Sequence, residues 1–423
     1  MNVIEYSKNS AFVQVDTLKI LFLDIVWPLY LADGSLIHRY ELVSNLARLD
    51  NEIDIFTTDE ASLSNISNIH CHYVPPGSFF SLTVNYFRRY VNLLNSETFD
   101  VLYTRNPNFG FLSGIFFKSR FREMVYELNG IPEDESSLFR TKNKEGNLSQ
   151  QGNTSGFSFS KAYLTVHSRI KRFILKKALE FSDRIIAVTP GIKANIEKIY
   201  NIPSEKIVVV SNGANTSLFK PLDQRDCRKE LNLDPEIFYV CFVGNLAPWQ
   251  GLEYLVKAAP SILSRFPECR FLIVGDGVMK NELLKLSREI GVVDKFIFTG
   301  VVAYDRVPMY INASDVCTAP FIFARNAKIG LSPLKLYEYM ACGKPVVASN
   351  ISGVSDALEA SKGGIPVFPE NPAALSEAVL KLLENPDLRS KLGSKGLSYV
   401  TENYSWYSVA KQVDRVCKSG LQG

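Results

Sequence analysis

Short apolar runs of three to six residues alternate with longer segments of helical period along the whole chain, and few folds accept that pattern. Read as strands, the runs fall at Ile20–Ile25, Ile53–Thr57, Val101–Tyr103, Met124–Leu128, Arg184–Val188 and Ile207–Val210 in the first half. In the second half they fall at Tyr239–Val243, Arg270–Val274, Phe296–Phe298, Val316–Ala319, Pro345–Ala348 and Ile365–Val367. Strand followed by helix, repeated, implies parallel sheets covered by helices on both faces, an α/β class. Two sets of strands fit two similar Rossmann-like domains better than one very wide sheet, and 423 residues suffice for two or three cores. The division is expected at the turn-rich Ser211-Asn212-Gly213-Ala214, giving a first domain over 1–211 and a second over 212–403. A last helical segment, Ser405–Lys418 within 404–423, can pack back on the first domain.

Composition narrows the function by exclusion. A net charge of +3 gives no reason to expect nucleic acid as the main partner. The seven cysteines are scattered without a Cys-x-x-Cys pair or a Cys/His cluster, which suits a reducing compartment and argues against a structural metal. Met1–Asp16 lacks the basic-then-apolar order of a secretory signal, and the run from Ile20 to Ala32 is broken by Asp24 and Pro28. The expected location is therefore the cytoplasm.

The polar stretch Glu133–Lys161, rich in Ser, Asn and Gly, reads as a mobile loop within the first domain. The helix after it, Lys161–Phe181, sets Tyr163, Val166, Ile170, Ile174, Ala178 and Phe181 on one stripe. Its other faces carry Lys161, Arg169, Lys171, Arg172, Lys176 and Lys177 against one acid, Glu180. Such a helix is either a solvated outer face over an ordinary core stripe or a peripheral contact with the inner face of an anionic membrane.

The stretch Ile329–Ala348 carries the most chemistry. Ser332 suits a helix N-cap, Pro333 the first helical position, and Gly343 a left-handed stop before Pro345. Lys335 and Glu338, three apart, share a face of that helix. A helix N-terminus with a Lys and a carboxylate one turn deeper suits a phosphate joined to a polyhydroxyl group, although a surface helix with a Lys–Glu pair has the same spacing. Glycine-rich turns also follow strands at Gly34-Ser35, Gly244-Asn245 and Gly275-Asp276-Gly277. Open α/β sheets bind ligands at such places, but many turns there hold Gly for geometry alone. No G-x-G-x-x-G follows the first strand, which disfavours a dinucleotide-dependent oxidoreductase.

In order, Asn212-Gly213-Ala214-Asn215, the segment from Phe242 to Pro248, Leu272–Gly277, Phe298-Thr299-Gly300, Ala313–Val316, Glu338–Ala348 and Tyr404-Ser405-Trp406 resemble the donor domain of family 4 glycosyltransferases with the GT-B fold. The first half fits less tightly, through the Gly34-Ser35 turn and the strand pattern. The resemblance implies a retaining transfer from a nucleoside diphosphate sugar in the cleft between two domains. It also implies no essential metal, no other cofactor and no enzyme nucleophile, and no Asp-x-Asp pair is found. It implies that Glu338 holds the donor ribose and that Gly275, Asp276, Gly277, Thr299 and Gly300 line the nucleotide side. The acceptor is expected to be a glycan or lipid-linked molecule in glycan, glycolipid or cell-surface polysaccharide synthesis.

The sequence departs from the family pattern twice. The first of two glutamates spaced eight apart is replaced by Gly330, leaving only backbone N–H groups from Ile329 through Leu331 to Ser332 for the sugar or phosphate. The Arg and Lys that clamp the diphosphate fall at Asn245 and Gln250, both neutral. Two phosphates buried without cations are costly, so the charge is expected from Arg325, Lys328 and Lys335. Arg325, Lys335 and Glu338 are thus the candidate catalytic residues, and His38, Arg105, Glu127 and Asn129, near strand ends, are acceptor-side candidates. His38 equally suits a packed or surface position. The departures also leave room for a nucleotide-sugar epimerase or a catalytically silent nucleotide-sugar binder.

Overall fold

The computed structural model describes residues 17–24, 34–57, 63, 65–75, 79–130 and 157–421, without the side chains of 79–82, 157–167, Arg325, Ala327 and Lys328. Two parallel sheets are present. The first comprises β1 (Lys19–Leu23), β2 (Glu52–Thr57), β3 (Ile69–Tyr73), β4 (Phe99–Thr104), β5 (Phe121–Leu128), β6 (Arg184–Ala187) and β7 (Ile207–Val209). Their order is β3-β2-β1-β4-β5-β6-β7. The second comprises β8 (Tyr239–Val243), β9 (Arg270–Val274), β10 (Phe296–Gly300), β11 (Val316–Ala319), β12 (Val346–Ser349) and β13 (Gly364–Val367), ordered β10-β9-β8-β11-β12-β13. Both reverse direction beside their first strand, between β1 and β4 and between β8 and β11, and a doubly wound sheet opens its ligand crevice at that point.

Eleven of the twelve expected strands fall within two residues of their observed places, the first among them with its Ile25 outside the described residues; the exception is β5, which begins at Phe121, three residues before the expected Met124. The sequence missed β3, an edge strand reading Ile-His-Cys-His-Tyr, whose two histidines hide the apolar alternation. His72 on it meets Asp54 of β2 at 2.6 Å, so the polar positions are partnered across the pair. Of the expected loop Glu133–Lys161, residues 133–156 lie outside the described residues and 157–161 belong to the helix Phe157–Phe181. Gly34 and Ser35 open the helix Gly34–Ala47 and do not form the turn before it.

The strands explain the layers. In β1, Ile20 and Phe22 face one side while Leu21 and Leu23 face the other, all fully buried. The first side packs on the helices Gly34–Ala47 and Trp406–Ser419, through Leu42, Val43, Trp406, Val409 and Val413. The second packs on Phe79–Ser96 and Pro107–Phe116. The final helix thus belongs to the first sheet's core, although the chain reaches it from the second. The two connections pair where they cross: Ala214 N–H donates to Tyr404 O at 2.9 Å and Trp406 N–H to Ala214 O at 3.0 Å. Gly213 allows that approach, since a Cβ there would lie 2.5 Å from Tyr404 O.

Candidate functional site

The carboxyl ends of the two sheets face each other across a cleft. On the second sheet, the turns after β8 and β9 are pressed together. Gly244 and Gly275 hold φ of 132° and 131°, and a Cβ on Gly275 would lie 2.2 Å from Gly244 O. These glycines are needed for packing, whatever else they do. Asp276 accepts from Gly277 N–H at 2.8 Å and pairs with Lys280 at 2.8 Å; the Lys280 bond and the Gly277 N–H hold its carboxyl below the usual range. The Thr299 hydroxyl donates to Gly300 O at 2.8 Å, and Gly275 N–H donates to Gly300 O at 3.0 Å.

The helix expected at Ser332–Gly343 runs from Leu334 to Ala341, with Pro333 as its cap residue. Ser332 does not cap it, because its Oγ accepts from the backbone N–H of Asn212 at 2.9 Å, across the cleft. Gly343, φ 69°, stops the helix as expected. Lys335 and Glu338 are both buried on this helix. The Lys335 ammonium donates to Gln250 Oε1 at 2.8 Å and sits 3.8 Å from the centroid of the Phe242 ring. It lies under the β8 turn, so that a Cβ on Gly244 would come within 2.9 Å of Nζ. Burial pulls its pKa down to about 7, against the opposing pull of Glu338. Burial likewise pushes Glu338 up to about 7, opposed by the Tyr304 hydroxyl, which donates to Glu338 Oε1 at 3.4 Å, and by Lys335.

The segment before the helix departs from expectation. Gly330 has φ 67°, with room for a Cβ only 3.0 Å from Ser352 O, so the left-handed backbone accounts for Gly where the family pattern has Glu. Its N–H donates to Asn326 O at 2.8 Å and that of Leu331 to Ser352 O at 2.9 Å. These two donors are therefore occupied within the fold and do not face a ligand as expected. Ile329 is buried, and its carbonyl accepts from the Thr189 hydroxyl of the first half. Arg325 and Lys328 lie on the helix Phe323–Ile329, and their side chains lie outside the described residues. Asn245 is exposed in the β8 turn, with its Oδ1 facing Gly277.

On the first sheet, the structure brings His38, Arg105 and Glu127 together. His38 Nε2 is 2.8 Å from Glu127 Oε1, and Arg105 Nε is 3.7 Å from the same oxygen. Glu127 Oε2 accepts from the Tyr103 hydroxyl. Burial alone would raise the Glu127 pKa, but His38 and Arg105 pull it down to about 2. Arg105 also reaches Asp24 at 3.6 Å and the Ser35 carbonyl at 3.3 Å. Asn129, exposed beyond β5, stands apart from this group. Gly34 faces Leu334, its Cβ position 3.4 Å from Leu334 Cδ1.

Three participants escaped the sequence reading. Asn212 accepts from His38 Nδ1 at 2.7 Å through Oδ1, and donates through Nδ2 to Ser332 O at 2.6 Å. Asn215 donates to Glu41 Oε1 at 2.8 Å, and burial raises the Glu41 pKa. Tyr304 adds its hydroxyl at Glu338. A signal existed for two of them: His38 and Glu41 are three apart on a helix, as are Asn212 and Asn215 in the connection they face. Among the described residues, no group of three or more His, Cys, Asp and Glu could hold a metal ion, and no helix is long and apolar enough to cross a membrane.

Comparison with known proteins covers both halves. Residues 223–398 match the family model for glycosyl transferases group 1, and residues 32–218 match that for glycosyltransferase family 4. An uncharacterized glycosyltransferase of Methanocaldococcus jannaschii is 25% identical over 96% of this chain and 99% of its own length. A D-inositol 3-phosphate glycosyltransferase of Thermobispora bispora is 24% identical over 58% of each chain. A GDP-mannose-dependent phosphatidylinositol monomannoside mannosyltransferase of Mycobacterium tuberculosis is 28% identical over 58% of this chain and 64% of its own. The same fold occurs in Anabaena HepE in complex with UDP and glucose, with TM-score 0.68, 19% identity, and coverage of 95% of this chain and 100% of that one. It occurs also in sucrose-phosphate synthase of Thermosynechococcus elongatus, with TM-score 0.70, 21% identity, and coverage of 95% and 98%.

Proposed function

The chain belongs to the group 1 / family 4 glycosyltransferases of GT-B fold, retaining enzymes that use nucleotide-sugar donors, and from that premise we propose that its diphosphate clamp is built on Lys335. Departure of a nucleoside diphosphate from the anomeric carbon develops charge on the leaving phosphate. The largest available help is a cation and helix N–H groups already in place. One observation carries the reading: the Lys335 ammonium lies 2.8 Å from Gln250, the position where the family's lysine is missing. The cation reaches the same corner of the site from a different element. Glu338, one turn deeper, accepts from two ribose hydroxyls, and Arg325 and Lys328 add charge from the neighbouring helix.

On the opposite wall, Arg105 and Glu127 face the acceptor. His38, with its two ring nitrogens directed at Glu127 and Asn212, holds Glu127 in position. The acceptor is a glycan or lipid-linked hydroxyl in glycan, glycolipid or surface-polysaccharide synthesis. A relative that acts on phosphatidylinositol monomannoside supports the lipid-linked class.

The test is donor turnover without and with acceptor. Wild-type enzyme is expected to hydrolyse the donor slowly, whereas an epimerase would isomerise it and a silent binder would leave it intact. Lys335→Met is expected to lower turnover about 100-fold or more, the usual cost of losing one preorganised charge contact. Gln250→Lys added to Lys335→Met returns an ammonium to that corner and is expected to recover activity. Full activity in Lys335→Met and in Lys335→Ala with Arg325→Ala would exclude the relocated clamp.

A further inference from the structure

The carboxylate proposed to take the donor ribose has a close neighbour. The Tyr304 hydroxyl donates to Glu338 Oε1 at 3.4 Å. Tyr304 opens the single turn Tyr304–Arg306 that joins β10 to the helix Val307–Ala313. Its ring packs on the second core, with its centroid 5.2 Å from that of the fully buried Phe219. Phe219 closes a turn that begins at Asn215. Its N–H donates to Asn215 O at 2.7 Å, and Asn215 Oδ1 accepts from the N–H groups of Ser217 and Leu218, both at 3.1 Å. Asn215 is itself anchored, donating through Nδ2 to Glu41 of the first half at 2.8 Å. The ring is thus held in place, and the hydroxyl proton alone can turn.

Glu338 by itself is half of a site for a sugar hydroxyl. Such a hydroxyl donates one proton and accepts through its lone pairs, whereas a carboxylate only accepts. A ribose hydroxyl buried against Glu338 alone would lack a donor, a costly state once water is excluded. Lys335, on the same helix, is engaged elsewhere, at Gln250 and over the Phe242 ring. Tyr304 can supply the donor. O–H···O bonds centre on about 2.7–2.8 Å, so at 3.4 Å the carboxylate holds the Tyr304 proton weakly and a ligand oxygen competes well for it. Burial, then Glu338 and Glu41, push the Tyr304 pKa up, so the hydroxyl keeps its proton and remains a donor. It also favours the charged form of Glu338 against burial, and that form accepts from two hydroxyls.

We propose that Tyr304 is the second member of the ribose site and the residue that sets its selectivity. Its hydroxyl donates to one hydroxyl of the ribose diol, while Glu338 accepts from both. Together they select ribonucleoside over deoxyribonucleoside diphosphate donors, because a missing hydroxyl leaves buried polar groups without their ligand partner. This role rests on Glu338 taking the ribose and goes beyond it, to the residue that reads one hydroxyl of the pair. Phenylalanine at 304 would fill the same space against Phe219. Packing therefore accounts for the ring and leaves the oxygen unexplained.

Calorimetric titration of the full chain with UDP, GDP and ADP selects the nucleotide bound most tightly, and its 2′-deoxy and 3′-deoxy analogues are the probes. Wild type is expected to bind each analogue about 10-fold or more weaker than the parent nucleotide. Tyr304→Phe keeps the ring on Phe219 and removes one oxygen. Its preference for the parent over one of the two analogues is expected to narrow by about fivefold or more, while its preference over the other stays at the wild-type value. Glu338→Gln is expected to narrow both. Wild-type selectivity against both analogues in Tyr304→Phe, with selectivity lost in Glu338→Gln, would overturn the role of Tyr304 and leave Glu338 at the ribose. Equal wild-type affinity for the parent and both analogues would overturn the ribose site itself and this role with it. The melting temperature of ligand-free Tyr304→Phe separates the fold from the site: a lower value with unchanged selectivity assigns the hydroxyl to the fold and likewise overturns the proposal.

Discussion

Lys335 and Glu338 meet the cost of burial from opposite sides. Glu338 has its folded pKa raised to about 7, so the stability tied to its bound proton is complete below the unfolded value of 4.5 and is lost as pH rises to about 7. Lys335 is depressed to about 7, so its share is complete above 10.5 and is lost as pH falls through about 7. Near neutral pH the empty site is therefore destabilised from both sides. Glu338→Gln cannot charge and is expected to stabilise the donor-free protein above about pH 7 by on the order of 3 kcal/mol, read as a higher melting temperature, with no gain below about pH 4. A melting temperature equal to wild type across that range would mean the carboxylate is not strained by burial. The opposite case is Glu127, held near 2 by His38 and Arg105 despite burial, so its contribution persists above 4.5 and is lost as pH falls through about 2. Glu127→Gln leaves Arg105 short of a buried partner and is expected to cost about 3 kcal/mol in urea unfolding at neutral pH. The sequence showed the residue types at this scale but not their pairing. His38 meets Glu127 and Asn212 only because two sheets and a crossing connection converge on it.

Elements were more legible than their faces. Strand positions followed from apolar runs, because a parallel strand buried on both sides has little choice of composition. The stripe on the Phe157–Phe181 helix was legible in part: Ala178 is buried and Ile174 and Phe181 half-buried, but Ile170 is exposed, Leu175 and Leu179 join the core, and the side chains of Tyr163 and Val166 lie outside the described residues. Periodicity gives an apolar face but not the span over which a neighbour covers it. That span is set by the Pro107–Phe116 helix, where Gly110 and Gly114 one turn apart let the helices approach. A Cβ on Gly114 would fall 2.4 Å from the Phe181 ring, and one on Gly110 3.0 Å from the Ala178 Cβ. Gly114→Ala is thus expected to destabilise by about 1–3 kcal/mol, and Phe181→Ala in the same chain to recover part of that loss. Strict additivity of the two would show that the helices do not meet there.

At the scale of the molecule, the two halves are joined in two unlike ways. The Trp406–Ser419 helix is built into the first core, and with the Ala214–Tyr404 and Trp406–Ala214 bonds it forms a joint that cannot part without unfolding. Around the cleft the contacts are smaller: Ile329 is buried against the first half's Ile192 and Ile196, and three polar bridges join Thr189 to Ile329, Asn212 to Ser332, and Asn215 to Glu41. A hydrogen bond contributes about 1 kcal/mol net, so these bridges set an equilibrium between separated and apposed walls without deciding whether the chain folds. Removing two of them with Thr189→Ala and Asn212→Ala is expected to shift that equilibrium toward separation by about 30-fold. Small-angle scattering would report this as a larger radius of gyration in the donor-free protein, reversed by saturating donor, while thermal unfolding of the joined core stays cooperative. The donor KM should rise in step, because binding must then restore the lost apposition. An unchanged radius with an unchanged KM would mean that the crossing helix and the packing of Ile329 fix the walls and that the polar bridges carry no part of closure.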